Sequence, residues 1–153
     1  MKTLIGRKDK ADFPELSLTN LNVKIDTGTY VSSIHCHDFQ ELTEDGEVYI
    51  EFCLLNPTHP KHSGQRIKTT QFEKKAIKNA QGELQESIIL KTIVVIFGQE
   101  HLIDIVLRPP TNSKYPVLLG RKFLSNRFMV DTAERDLSFK RKQNYRSRKR
   151  SLR

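Results

Sequence analysis

The sequence predicts an all-β domain, a closed or partly open barrel, with one short helix after Gly120. Two observations support this class. Apolar and polar residues alternate over short segments, which is the period of a half-buried strand. Turn-forming residues separate these segments at short intervals, while helical periodicity is almost absent and no internal repeat occurs. Many short strands between frequent turns are typical of β-barrels and β-sandwiches.

The first half of the chain contains the clearest strand. Val23-Lys24-Ile25 alternates in polarity and runs directly into Asp26-Thr27-Gly28. Glu44-Asp45-Gly46 predicts a hairpin turn, because glycine takes positive φ without a steric cost. The predicted strands are Leu4–Arg7, Leu18–Leu21, Val23–Ile25, Ser32–Leu42 and Glu47–Leu55, with loops at Asp12–Leu16 and Asn56–Gly64.

The second half begins with a predicted hairpin, Arg66–Lys78 with Glu83–Phe97, that turns at Asn79-Ala80-Gln81-Gly82. A turn at Gly98–Glu100 follows, and the next strand alternates in polarity. The remaining predicted elements are a strand at Leu102–Leu107, a loop at Arg108–Tyr115, an apolar segment at Pro116–Gly120, one helical turn at Arg121–Leu124, and strands at Phe128–Asp131 and Leu137–Phe139.

The net charge of +8 is concentrated at the C-terminus. Residues 140–153 carry eight Lys/Arg and no acidic residue, so residues 1–139 are neutral overall. Basic runs of this kind are usually disordered and solvated. We therefore predict a folded domain over residues 1–139 and a disordered basic tail over residues 140–153. Contact of this tail with a polyanion, such as RNA or an acidic protein, would weaken steeply with salt.

The compartment is predicted from three absences in the sequence. The longest apolar run, Ile88–Phe97, is interrupted by Lys91 and is much shorter than the roughly 18 residues of a membrane helix. The segment Met1–Arg7 meets charge too early for a signal peptide. Two cysteines are too few for a disulfide scaffold. These features predict a cytoplasmic protein with no membrane partner.

The candidate chemistry is carried by Asp26-Thr27-Gly28. About 90 residues later come Leu118-Leu119-Gly120 and Arg121. This pair of motifs resembles the aspartic protease lobe, in which the Asp-Thr-Gly loop lies against a strand that ends in two apolar residues and a glycine. The resemblance implies an acid-protease (retropepsin-like) barrel with Asp26 as the catalytic carboxylate. It also implies that Thr27 and Gly28 complete the active-site loop, supported by Leu118, Leu119 and Gly120.

A narrower resemblance covers about residues 4–139. Matching segments are similar to a bacterial family usually labelled "ATP-dependent zinc protease", whose fold is retropepsin-like. These segments are Ile5-Gly6-Arg7, Lys24–Gly28, Ser32, His35, Tyr115–Leu124 and Arg127–Asp131. The chain departs from the family pattern at Thr29, where the family tends to have alanine. It departs again at Gln85-Glu86, where the family usually has an Arg-Arg or Arg-Pro step.

The implied mechanism needs two chains. Aspartic proteases use two carboxylates about 3 Å apart that share one proton, and this chain has one Asp-Thr-Gly. The resemblance therefore implies a homodimer in which each Asp26 helps to activate a water nucleophile against a peptide or protein substrate. Retropepsins cover the substrate with a hairpin. The turn Asn79-Ala80-Gln81-Gly82 is the candidate flap, because it lies between the acid and the Leu118-Leu119-Gly120 segment.

The sequence leaves one other function open and argues against metal and nucleotide binding. The chain could be a non-catalytic binding or adaptor module, possibly a partner of an ATP-grasp ligase. There is no His-Glu-x-x-His motif, and a zinc set combining His35-Cys36-His37 with His59 and His62 would place Cys36 on the opposite strand face from its neighbours. There is also no phosphate-binding Gly-x-x-x-x-Gly-Lys-Ser/Thr motif. We therefore expect no metal and no cofactor.

Overall fold

The computed structural model describes residues 1–79 and 81–151 of the chain. Within these residues, nine strands form one sheet and two more form a small parallel pair. The strands are β1 (Thr3–Ile5), β2 (Lys8–Phe13), β3 (Leu18–Ile25), β4 (Ser32–Glu44), β5 (Glu47–Leu54), β6 (Arg66–Thr69), β7 (Phe72–Lys78), β8 (Leu84–Ile96), β9 (Gln99–Arg108), β10 (Val117–Leu119) and β11 (Phe128–Val130). The helices are α1 (Arg121–Leu124) and α2 (Leu137–Ser151), with a 3-10 turn at Pro14–Leu16.

The large sheet curves into a partly closed barrel. Its strand order is β10-β3-β2-β8-β9-β4-β5-β6, with β7 paired to β8. Strand β10 pairs both with β3 in parallel and with β4 in antiparallel orientation, which closes the path. The joint between β2 and β8 is narrow, because Asp12 and Val95 are its one registered pair among the described residues. The predicted all-β class, a partly open barrel, is confirmed.

The core lies inside this barrel, where alternate residues of each strand meet. Strand β2 alternates strictly between half-buried and buried positions, as the period-2 pattern requires. The largest fully buried side chains include Phe13, Leu21, Ile34, Phe52, Ile105 and Leu119. None of the described helices is long and apolar enough to cross a membrane.

Both predicted hairpins are present. The segment predicted as the first strand of the second hairpin, however, forms two separate strands. Asp45 and Gly46 both have positive φ, which suits a two-residue hairpin turn between β4 and β5. Residues 66–78, predicted as one strand, form β6 and β7, which pair with different neighbours. Strand β6 pairs with β5, whereas β7 pairs with β8 around the predicted turn. Ala80 of that turn lies outside the described residues.

The C-terminal end of the chain differs most from the prediction. Leu137–Phe139, predicted as a strand, begins helix α2, and the predicted disordered tail continues this helix to Ser151. The carboxylate of Asp9 accepts hydrogen bonds from the backbone N–H groups of Ser138 and Phe139 and so caps the helix. Lys142 pairs with Asp12 of β2. The sequence prediction failed here because the capping residue lies about 130 positions earlier in the chain.

Candidate active site

Asp26 stands at the end of β3, next to β10. The two strands run parallel, with Val23 opposite Val117 and Ile25 opposite Leu119. The backbone N–H of Asp26 donates to the carbonyl of Leu119 at 2.9 Å, which extends the ladder by one residue. This confirms the predicted contact between the Asp-Thr-Gly loop and the Leu118-Leu119-Gly120 segment.

Gly120 fits this site because there is no room for a side chain. A Cβ at position 120 would lie 2.6 Å from the carbonyl oxygens of Tyr30 and Val31 and 2.8 Å from that of Thr29. The buried hydroxyl of Ser32 accepts a hydrogen bond from the Gly120 N–H at 3.0 Å. Because all of these partners are fixed polar groups, even alanine would force the two segments apart.

Helix α1 is hydrogen-bonded to the same loop. The backbone N–H of Arg121 donates to the Thr29 carbonyl at 2.8 Å, and that of Lys122 donates to the Tyr30 carbonyl at 2.9 Å. The Arg121 side chain donates from Nη1 to the carbonyl of Thr27 at 2.9 Å. Two N–H groups that a helix start leaves without intrahelical partners therefore hold the loop that presents Asp26.

The Asp26 carboxylate has two hydrogen-bond donors within its own loop. The N–H of Gly28 donates to Oδ1 at 3.0 Å, and the hydroxyl of Thr29 donates to Oδ2 at 2.9 Å. A Cβ on Gly28 would lie 3.3 Å from Oδ1, a tight contact rather than an overlap. Asp26 is half-buried, whereas Thr27 and Gly28 are exposed. The carboxylate is thus oriented, and the tip of the loop is open to a partner.

Two neighbouring pockets lie along β4 and the loop after β9, and together they are called the groove. Its first part is bounded by strand β4 and by the loop that follows β9, and it includes Thr29, Ser33, His35, Arg108, Tyr115 and Leu118. Its second part shares Arg108, Pro109 and Pro110 with the first and reaches Cys36, Phe39 and Gln85–Ile88. Burial, and secondarily the nearby His59, lower the pKa of His35, so this wall of the groove favours a neutral imidazole.

The candidate flap lies at the far end of the β7–β8 hairpin. Asn79 closes the turn, because its side-chain oxygen accepts from the N–H groups of Gln81 and Glu83, both at 3.0 Å. The N–H of Gly82 donates to the Asn79 carbonyl at 3.0 Å. The first residues of β8, Gln85 and Glu86, line the groove. The hairpin is therefore present, and its role as a flap stays a prediction.

Sequence reasoning named Thr29, Ser32 and Arg121 but gave none of them a role in the site. Thr29 and Arg121 donate hydrogen bonds within the Asp26 loop and to it, and Ser32 accepts one from the neighbouring Gly120. Thr29 carried a signal, because it replaces the alanine that the resembling family tends to have. No local pattern indicated the Ser32 contact, since its partner Gly120 lies 88 residues away.

An Asp-Thr-Gly loop hydrogen-bonded to a parallel Leu-Leu-Gly strand, within a partly closed β-barrel, defines a retropepsin-like protein. The family model described as RimB-like, "Retropepsin-like aspartic endopeptidase RimB", matches residues 4–141, and the chain belongs to this family. This confirms the resemblance drawn from the motifs.

Longer proteins contain a similar region. A protein of Shewanella halifaxensis named "Probable alpha-L-glutamate ligase" is 26% identical over 137 residues, which is 87% of this chain and 29% of that protein. A protein of the same name from Desulfotalea psychrophila is 26% identical over 132 residues, covering 86% of this chain and 28% of its own length. The chain thus spans less than a third of these curated relatives.

A solved structure shares the fold. The crystal structure of a Legionella pneumophila protein of unknown function has a TM-score of 0.71 against this chain at 22% identity, and the match covers 90% of this chain and 99% of that one. At this identity the likeness shows the fold.

Proposed function

We propose that this protein is a retropepsin-type aspartic endopeptidase that is active as a homodimer, with Asp26 of each subunit as a catalytic carboxylate. The observation that carries the proposal is the Asp26 loop. Its carboxylate is oriented by Gly28 and Thr29, and its backbone is fixed against Leu119. The exposed Thr27 and Gly28 leave the tip of the loop accessible to a second copy.

The chemistry follows from two carboxylates that meet across a two-fold axis. Two such groups about 3 Å apart cannot both ionise and therefore share one proton. The ionised Asp26 takes a proton from a water molecule as the water oxygen attacks the scissile carbonyl carbon. The protonated Asp26 of the other subunit donates its proton to the carbonyl oxygen. In a two-fold symmetric dimer, each subunit presents the same loop to its partner.

The substrate is proposed to be an extended peptide that contains glutamate. The groove beside Thr29 offers the cationic side chain of Arg108, which suits a carboxylate-bearing residue. The relatives named "Probable alpha-L-glutamate ligase" contain a similar region within one longer chain, which supports a substrate of that chemistry. Glu86 lies in the second part of the groove and would disfavour an acidic residue there.

The test is peptide cleavage across protein concentration by the wild type and by Asp26→Asn. Specific activity should rise with concentration as dimers form, and Asp26→Asn should lose activity by at least about 10³-fold while remaining folded. Activity should fall in acid, where both carboxyls are protonated, and in alkali, where both are ionised. Glutamate peptides should be cleaved faster than matched glutamine peptides.

Three results would contradict parts of this proposal. Equal cleavage by wild type and Asp26→Asn would remove Asp26 from the mechanism. Cleavage by a demonstrated monomer would remove the shared pair of carboxylates. Equal rates on glutamate and glutamine peptides would remove the substrate preference and leave the protease itself untouched.

A second candidate function is a non-catalytic adaptor for an ATP-grasp ligase. The observation that favours it is that the similar region makes up 29% of a longer protein named as a ligase. An adaptor would bind such a ligase and change its rate equally well as wild type or as Asp26→Asn. A confirmed dimer that cleaves no peptide over a broad pH range, but changes the ligase rate, would favour this function.

A further inference from the structure

Strands β4 and β5 bring together a cluster of metal-ligating side chains that the proposed protease chemistry does not use. One ligand atom from each of His37, Asp38 and Cys53 lies within 4.8 Å of the other two. We propose that these three side chains bind a divalent zinc ion, with His62 as the hydrogen-bonded partner of His37.

The strand register places two of the ligands on one face. His37 and Cys53 are directly opposed partners in the antiparallel β4–β5 pair. Directly opposed residues project their side chains to the same side of a sheet. The pairing explains why Cys53, rather than the sequence neighbour Cys36, lies beside His37.

A break in the strand brings in the third ligand. In a regular strand Asp38 would point away from His37, because consecutive side chains alternate between faces. The register between β4 and β5 shifts between His37 and Gln40, and Asp38 has a φ of 53°. Bulges of this kind redirect side chains. As a result, Asp38 Oδ2 lies 3.2 Å from His37 Nδ1.

His62 acts on the other nitrogen of the His37 ring. The two Nε2 atoms are 3.0 Å apart, so one of them carries the hydrogen that joins them. When His37 Nε2 is the donor, its Nδ1 has a free lone pair on the side of Asp38. When Nδ1 carries the hydrogen instead, it donates to Asp38 Oδ2, and a metal ion bound by the two side chains would replace that hydrogen. Metal-bound histidines commonly have their second nitrogen fixed by such a partner.

The charges and donor types suit zinc. A Cys53 thiolate and the Asp38 carboxylate would balance the charge of a divalent cation, and zinc takes sulfur, imidazole and carboxylate ligands. Three protein ligands leave a fourth, water-filled position. On binding, the Cys53 thiol releases its proton to solvent as the sulfur–zinc bond forms, with no transfer of electrons. The Arg66 guanidinium donates from Nη1 to Cys53 Sγ at 3.7 Å.

This site differs from the zinc set that the sequence argument rejected. That set needed Cys36, whose thiol pKa is raised to about 11 by burial, so it is a poor source of thiolate. The structure supplies Asp38 and Cys53 in its place. Its ligands do not include Asp26, although His37 and Asp38 also line the second part of the groove. Metal binding and peptide cleavage are therefore measured separately.

Cobalt titration of the metal-free, reduced protein tests the site. Co²⁺ should produce a thiolate-to-cobalt charge-transfer band that saturates at one ion per chain and disappears when Zn²⁺ is added. Cys53→Ser should lose the band. Cys36→Ser, which changes the other buried cysteine, should keep it. Asp26→Asn should bind Co²⁺ as tightly as the wild type, which separates this result from the outcome of the protease assay.

Absence of a saturable band, or its retention in Cys53→Ser, would overturn the proposal. If Cys53→Ser fails to fold, His37→Gln and Asp38→Asn decide the question, because both side chains are at least partly exposed. Each should lower Zn²⁺ affinity by at least about tenfold in a competition assay, and unchanged affinity in both would overturn the site. His62→Gln should keep the cobalt band and weaken binding by about 10- to 100-fold. Unchanged affinity there would remove His62 from the proposal.

Discussion

Asp9 and Asp26 are both aspartates held by main-chain donors, but they are held differently. Asp9 is fully buried, and its carboxylate accepts from three backbone N–H groups, those of Lys10, Ser138 and Phe139. Asp26 is half-buried and accepts from one backbone N–H and one hydroxyl. Asp9 joins β2 to helix α2, whereas Asp26 lies where β3 ends and the exposed Thr27–Gly28 loop begins.

The difference shows how one side-chain type serves structure in one place and chemistry in another. Asp9 has its acceptor positions filled by groups that belong to the fold, so it has little capacity for a substrate or a water molecule. Asp26 has two donors that orient it and keeps part of its surface open. Burial raises the pKa of Asp9, while the N–H donors of Ser138, Lys10 and Phe139 act in the opposite direction.

The largest expected effect on stability comes from Asp9→Ala, compared with Asp26→Ala. Removing the Asp9 carboxylate leaves three N–H groups without this acceptor. Two of them belong to α2, and of these the Ser138 N–H is buried and the Phe139 N–H is partly buried. Each unsatisfied buried donor costs about 1–3 kcal/mol, so a loss of about 3 kcal/mol or more is expected. Asp26→Ala should cost about 1 kcal/mol or less. Urea denaturation of both variants measures this, and equal losses would contradict the comparison.

The pH dependence of Asp9 sharpens the same test. Because burial raises the folded-state pKa of Asp9 above its unfolded value, its contribution to stability is full below the unfolded pKa and is lost as pH rises through the folded pKa. The wild type should therefore lose unfolding free energy relative to the non-titrating Asp9→Asn variant as pH rises from the unfolded-state pKa of Asp9 through its folded-state pKa. A shift in the opposite direction would show that the three N–H bonds outweigh burial.

The sequence could predict Asp26 but could not predict Asp9. Asp26 belongs to a local motif, and its second element, Leu118-Leu119-Gly120, is also readable along the chain. Asp9 lies in the charged segment Lys8-Asp9-Lys10, to which no strand was assigned, whereas the structure has β2 at Lys8–Phe13. Its burial depends on a helix about 130 residues later, and that helix was predicted as a strand and a disordered tail. Long-range polar pairing leaves no periodic pattern in either partner.

The same contrast between local motifs and long-range contacts explains which other parts of the site could be predicted. The turns at Asn79–Gly82 and Asp45-Gly46 were predicted from residues that act locally. The contact of Ser32 with Gly120 and the opposition of His37 and Cys53 depend on strand register, which a single sequence does not reveal. The bulge that redirects Asp38 depends on the same register.

An intermediate effect is expected from Thr29, which supplies the second donor to Asp26. Thr29→Val keeps the shape and removes the hydroxyl, so about 1 kcal/mol of carboxylate orientation should be lost, a decrease of about fivefold in kcat/KM. Thr29→Ser keeps the hydroxyl and is the matched control, so it should retain the wild-type kcat/KM. Equal kcat/KM for Thr29→Val and the wild type would show that the Thr29 hydroxyl does not orient the carboxylate.

The smallest effect on stability should come from shortening helix α2 beyond its cap. Truncation after Lys142 keeps the Asp9 contacts with Ser138 and Phe139 and the ion pair with Asp12, and it removes five Lys/Arg and no acidic residue. The removed side chains with described burial are exposed or half-buried, so unfolding free energy should change by no more than about 0.5 kcal/mol. Binding to a polyanion such as heparin should weaken strongly in the truncated protein, and the difference from wild type should shrink with added salt.

Truncation after Asp136 is the control, because it removes the capped turn and should destabilise the protein about as much as Asp9→Ala. A large loss of stability from the shorter truncation would show that the distal half of α2 is structural, and unchanged polyanion binding would locate the basic surface elsewhere.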